Sequence, residues 1–189
     1  MNAPGSVVRQ ILVCLAVTFA AACVAEDTDT EPVKRIFISR AVHEGSFGGL
    51  AAADAQCNLY ASAAEIGGAW TAWLSDSATD AIDRIEDVGP WYLVDEVTRV
   101  FNNKDGMRSV PINPIALDEY GDVNEIWVWT GTELGGTRAE NVCFDWPDAF
   151  VGAIPVGAAG YSGFISNGWT YEDRSADCRS TYGLYCIEQ

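Results

Sequence analysis

The chain has one histidine and only 11 basic residues against 27 acidic ones, for a formal charge of −16 over 189 residues. The shortage of Lys and Arg argues against nucleic acid as a partner, because phosphate recognition needs a basic cluster and the longest basic pair is Lys34-Arg35. Heparin and other polyanions are disfavoured for the same reason. A lone histidine leaves little room for nucleophilic catalysis, which needs a base beside the nucleophile. His43 stands next to Glu44 in what reads as a turn, so it is expected to be an ordinary surface histidine. No HExxH, GxSxG or P-loop occurs. No CxxC occurs, and His43 is far in sequence from every cysteine, which argues against zinc and against redox catalysis. Carboxylates are so numerous that chance pairs are expected, so their number does not signal a glycosidase. The chain is expected not to be an enzyme.

Long apolar runs are also scarce. The N-terminal run Ile11–Ala22 spans 12 residues, too short to cross a bilayer comfortably. Arg9 precedes it and small residues follow it, the layout of a cleaved export signal. "AAAC" (residues 20–23) resembles a bacterial lipobox, in which the cysteine becomes the lipid-bearing first residue. This implies a signal peptide over 1–22, lipidation at Cys23 and attachment to a membrane through that lipid. The expected location is the bacterial outer membrane or cell surface, with secretion after ordinary cleavage near Ala22 or Ala25 as the rival. "EDTDTEP" (26–32) lies in an acidic tether over 23–33, without periodicity.

What remains is well supplied for a core: 49% of residues are apolar, with seven Trp, seven Tyr and seven Phe. Once Cys14 leaves with the signal and Cys23 takes lipid, Cys57, Cys143, Cys178 and Cys186 remain. An even number in an exported chain implies disulfides, and four cysteines allow three pairings.

"KRIFISR" (34–40) alternates and reads as a strand. "LAAADAQCNLYASAAEI" (50–66), stopped by Gly67-Gly68, reads as a helix with a glycine C-cap and with Ala53, Cys57, Tyr60, Ala61 and Ala64 facing inward. "AWTAWLSD" (69–76) is a strand, "DSATDAIDRIED" (76–87, around Ala81) a short helix, and "PWYLVDEVTRVF" (90–101) a hairpin about Asp95-Glu96. "EIWVWTGT" (125–132) and "YGLYCIEQ" (182–189) are strands. The segment 144–177 reads as a long loop in which "FVGAIPV" (150–156) is one further strand. The order gives an α+β domain over 34–189 with no regular helix alternation. Trp70, Trp73, Trp127 and Trp129 read as core, Trp127 and Trp129 on one strand face. Trp146 and Trp169, in loop territory, are the candidate ligand-binding residues.

"GGLAAADAQCNLYASAAEIGGAWTAWLSD", "VWTGTELGGTRAENVCFDW" and "CRSTYGLYCIEQ" are similar, in order and in cysteine placement, to the endostatin branch of the C-type-lectin-like fold. The likeness covers about residues 35–189 and extends to a bacterial lipoprotein family of unknown function, of spirochaete and myxobacterial type. It implies twisted antiparallel sheets, one main N-terminal helix, a long loop region and two nested disulfides, Cys57–Cys186 and Cys143–Cys178. It also implies a surface adhesin or protein-binding module with an extracellular protein or glycan as its ligand. Some bacterial relatives bind host matrix or complement-regulating proteins. A calcium-dependent lectin is the alternative, and a structural envelope lipoprotein a third. The sugar-binding motif of C-type lectins is absent, since "TELGGTRAENVC" (132–143) has no proline and Trp169 is followed by Thr170 and Tyr171. A nonstandard calcium site would have to draw on Glu172 and Asp173, or on Asp118, Asp122 and Asn124. The plainer reading of these is as solvated turn acids, and no metal or other cofactor is expected. Endostatin's histidine-rich zinc site and arginine-rich heparin site have no counterpart.

Overall fold

Along the final strand, residues alternate between two separate cores. Tyr185 and Ile187 enter one cluster, with Ile36, Ile38, Trp73, Trp91, Phe101 and Trp169. Leu184 and Cys186 enter the other, with Phe37, Cys57, Trp70, Trp129 and Trp146, and Tyr182 packs against that cluster. Period-two alternation thus lets one sheet be buried on both faces. The computed structural model describes residues 33–153 and 155–189, so the signal, Cys14, Cys23 and the tether up to residue 32 lie outside the described residues.

The described residues form an α+β domain. The strands are β1 (Lys34–Ile38), β2 (Trp70–Ala72), β3 (Trp91–Leu93), β4 (Arg99–Phe101), β5 (Trp127–Trp129), β6 (Val156–Tyr161), β7 (Asp173–Asp177) and β8 (Tyr185–Glu188), and the α-helix is α1 (Leu50–Ala63). One sheet has the order β2-β8-β1-β3-β4 and the other β5-β6-β7. The sheets are not wholly antiparallel: β1 and β3 run parallel, with Lys34 opposite Trp91 and Ile36 opposite Leu93. The chain leaves β1 through α1 and β2 and returns on the far side of β1, which makes that pair a crossover. The hairpin of β3 and β4 forms as expected, with Glu96 at φ 58° in its turn.

Helix α1 owes its formation to alanine, six of its 14 residues, and buries Ala53, Cys57 and Ala61 at four-residue spacing. Its C-terminus is not capped by glycine. Glu65 takes the left-handed conformation at φ 59°, and the amides of Glu65 and Ile66 donate to the carbonyls of Ser62 and Ala61, a Schellman arrangement built on a non-glycine residue. The neighbouring polar stripe of α1 covers the free edge of β2. The Asn58 side chain donates to the Trp70 carbonyl and accepts from the Trp70 amide, and Asp54 accepts from the Ala72 amide. Arg84 donates to the Ala72 and Leu74 carbonyls and to both Asp54 oxygens. Edge groups that would otherwise recruit another chain are thereby satisfied. The segment around Ala81 is a single 3-10 turn, Ala81–Arg84.

The two disulfides are Cys57–Cys186 and Cys143–Cys178, the nested pattern implied by the resemblance. The first ties α1 to β8. The second lies in the same core cluster, beside Gly45 and Gly157.

The segment 144–177 is not one loop. It carries β6 and β7, and β6 starts at Val156, so residues 150–153 and 155 of the expected strand lie outside it. The sequence VGAAGY hides this strand because its backbone is packed too closely for larger side chains. A β-carbon at Gly157 would strike the Cys143 sulfur, and one at Gly160 would strike the Trp169 carbonyl. Small residues win these positions on space although they are poor strand formers.

Candidate functional site

The tryptophans expected to present a ligand surface do not. Trp146 and Trp169 are both 0% exposed. The Trp146 indole donates to the Ser75 carbonyl and packs against Phe47 and Trp129. The Trp169 indole donates to the Ser109 carbonyl and sits among Trp73, Phe101 and Tyr185. Both belong to segments that fold back onto the sheets, and each indole N–H finds a backbone acceptor, which removes the cost of burying it.

The exposed tryptophan is instead Trp127, at 36%. It shares a strand face with buried Trp129, but it lies one step nearer the end of β5. A run of rings leads outward from the core: Trp146, Trp129, Tyr182, Trp127, Tyr161 and Phe164. Trp129 and Tyr182 are 4.5 Å apart by ring centroid, Tyr182 and Trp127 6.0 Å, Trp127 and Tyr161 5.6 Å, and Tyr161 and Phe164 5.0 Å. Trp127 opposes Tyr161 in the β5–β6 register, and Phe164 follows in the turn closed by its amide on the Tyr161 carbonyl. Phe164 is 37% exposed and its neighbour Ile165 56%. The outer rings are tilted, 70° between Trp127 and Tyr161 and 53° between Tyr161 and Phe164, so they form ridges and not a flat platform.

Two exposed carboxylates border these rings. A β-carbon at Gly163 would lie 3.0 Å from both the Glu125 carboxylate and the Tyr161 ring. At Gly168 it would strike both the Phe164 ring and the Glu172 carboxylate. Seven salt bridges occur among the described residues, and none involves Glu125 or Glu172. Arg174, two residues beyond Glu172, lies over the Tyr171 ring at 5.0 Å. Sequence reasoning missed this face because Trp-x-Trp puts both indoles on one side without saying where the sheet ends.

A second unusual surface lies at Cys143–Trp146. All four residues are non-glycine and left-handed, with φ of 49°, 56°, 60° and 58°. Left-handed backbone costs about 1–2 kcal/mol per such residue. The turn is held by the Cys143–Cys178 bond, by buried Trp146, and by Asp145, whose carboxylate accepts from the Ser77 amide and hydroxyl. Phe144, at its tip, is 66% exposed beside a shallow cleft of about 380 Å³ lined by Ser77, Asn141, Val142 and Pro155.

Of the residues offered as calcium ligands, Asp118, Asp122 and Asp173 have other partners for their side chains. Asp118 is buried, and it and Asp122 both accept from the Arg40 guanidinium, which also lies over the Tyr120 ring at 4.5 Å. The backbone N–H of Asn124 donates to the Ala116 carbonyl. The Asp173 carboxylate caps the Ser175 amide, and Glu172 belongs to the aromatic face. Among the described residues no group of three or more His, Cys, Asp or Glu side chains is arranged to hold a metal ion.

His43 is not an ordinary surface residue. Its backbone pairs with Tyr182, and its half-buried ring shares a hydrogen bond between Nε2 and the Tyr60 hydroxyl. Burial lowers the His43 pKa. Burial and the charge of nearby Glu119 raise that of Tyr60, which stays protonated at neutral pH. No family model matches the chain, and no curated protein matches it.

Proposed function

We propose that this is an exported, lipid-anchored binding domain of the endostatin-like branch of the C-type-lectin-like fold, that it is not an enzyme, and that it takes an extracellular protein partner on the face made by Trp127, Tyr161 and Phe164. The export signal and the lipobox-like "AAAC" support the location. The order of segments, the two small sheets, the single helix and the nested disulfides support the family. The observation that carries the binding reading is the aromatic run whose inner rings are core and whose outer rings emerge at the surface. Aromatic side chains supply large contact area at little entropic cost, and a disulfide-tied sheet holds them in place. Ring tilt favours a ridged partner over the flat face of a sugar.

The test is an array of purified extracellular proteins and of glycans, probed with the domain and with Trp127→Ala and Phe164→Ala, each with calcium and with EDTA. The expected result is a protein ligand whose binding falls about tenfold or more in both variants and ignores EDTA. Glycan binding abolished by EDTA would move the reading to a calcium lectin. Binding untouched by either variant would remove the aromatic face from the function.

A further inference from the structure

The charge around the aromatic face specifies its partner more closely. Resting on the reading of that face as the binding surface, we propose that it recognises a basic, extended peptide segment, with Arg or Lys side chains lying over the Trp127, Tyr161 and Phe164 rings and paired with Glu125 and Glu172. Ring faces attract cations through their quadrupole, Trp most strongly, and Arg is the more frequent partner. A carboxylate stands beside the Tyr161 ring and another beside the Phe164 ring, and no described cation pairs with either. The chain carries −16 overall, which draws a basic segment in and repels an acidic one. This chain already uses the same chemistry internally, with Arg40 over Tyr120 and paired with Asp118 and Asp122.

The geometry favours a strip over a small cage. Successive outer rings are 5.6 and 5.0 Å apart, too close to enclose a quaternary ammonium between them. Together they span at most about three extended residues, at roughly 3.4 Å each. In an extended peptide, alternate side chains face the same surface, so cations two residues apart reach neighbouring rings and the flanking carboxylates.

The experiment uses the whole domain and synthetic nonapeptides of alternating Arg and Ala, Gln and Ala, or Glu and Ala, followed by titration calorimetry and by quenching of tryptophan fluorescence. The Arg peptide is expected to bind, with weakening as salt rises, while the Gln and Glu peptides do not. Trp127→Ala, Phe164→Ala and the double change Glu125→Gln with Glu172→Gln are each expected to weaken it about tenfold. A control neutralising Asp83 and Glu86, exposed acids in and just after the Ala81–Arg84 turn, should weaken it less than twofold. No binding of the Arg peptide, or equal loss in the control and the Glu125/Glu172 variant, overturns the proposal, the latter by revealing attraction to net charge alone. A protein ligand that needs Trp127 and Phe164 but not Glu125 and Glu172 also overturns it while leaving the binding face intact. Insensitivity of every ligand to Trp127→Ala removes both.

Discussion

Cys57 on α1 is bonded to Cys186 on β8, closing a loop of 129 residues, and both sulfurs are fully buried between helix and sheet. In the chain-entropy model a loop of this length contributes about 5 kcal/mol, and the 35-residue loop of Cys143–Cys178 about 4 kcal/mol. Replacing Cys57 and Cys186 together by Ala should lower unfolding free energy by roughly 3–5 kcal/mol, read from urea melts of the two proteins. Peptide mapping without reductant should recover Cys57 joined to Cys186; recovery of Cys57 with Cys143 would contradict the fold.

The edge of β2 depends on side chains of α1. Asn58→Ala removes a donor and an acceptor from the Trp70 peptide group, and Trp70 is 2% exposed. The expected loss is about 1–3 kcal/mol, because buried backbone groups are left unpaired. Asn58→Asp, which keeps the acceptor but not the donor, should fall between the two proteins.

At the left-handed turn, two adjacent substitutions should differ in effect. Phe144→Gly relieves a strained φ of 56° at an exposed position and should stabilise the domain by about 0.5–1 kcal/mol, net of the entropy glycine adds to the unfolded chain. Asp145→Gly relieves a similar φ but deletes both bonds to Ser77, so it should be neutral or destabilising. Thermal melts of the pair decide whether strain or anchoring dominates.

His43 makes stability depend on pH. Its folded pKa is lowered from 6.5 by burial, so between 6.5 and that lower value the unfolded state binds more protons than the folded state. The contribution of neutral His43 is therefore complete above pH 6.5 and is lost as pH falls through the lowered folded value. Urea midpoints at pH 7.5 and 5.5, which avoid most carboxylate titration, should drop more in the native protein than in His43→Gln. Equal drops would show that His43 is not the group responsible.

Trp127 and Trp169 should separate binding from folding. Trp169→Ala empties a fully buried site between Trp73, Phe101 and Tyr185 and should cost about 3–5 kcal/mol. Trp127→Ala should cost about 1–2 kcal/mol or less, since the indole is partly solvated. Acrylamide quenching, expected to reach Trp127 first among the tryptophans, checks the exposure directly.

Local periodicity determined much of this protein. Alternation in residues 34–38 and 182–188 marks strands that are buried on both faces, and four-residue spacing of Ala53, Cys57 and Ala61 orients α1 and its cysteine. These are short-range patterns, set by backbone geometry that every residue obeys. The disulfide pairing came from likeness of order, since spacing alone left three solutions. Tertiary structure decided what depends on distant chain. Gly157 and Gly160 lie in a strand because a disulfide and the Trp169 backbone leave no room for larger residues there. His43 is half-buried because Tyr60 and Tyr182 arrive from elsewhere. Trp146 and Trp169 are interior, and Trp127 partly exterior, because burial depends on where the sheets end and which segments fold over them. A tryptophan has the same local signature in a core and on a binding face, so only the assembled neighbours distinguish the two.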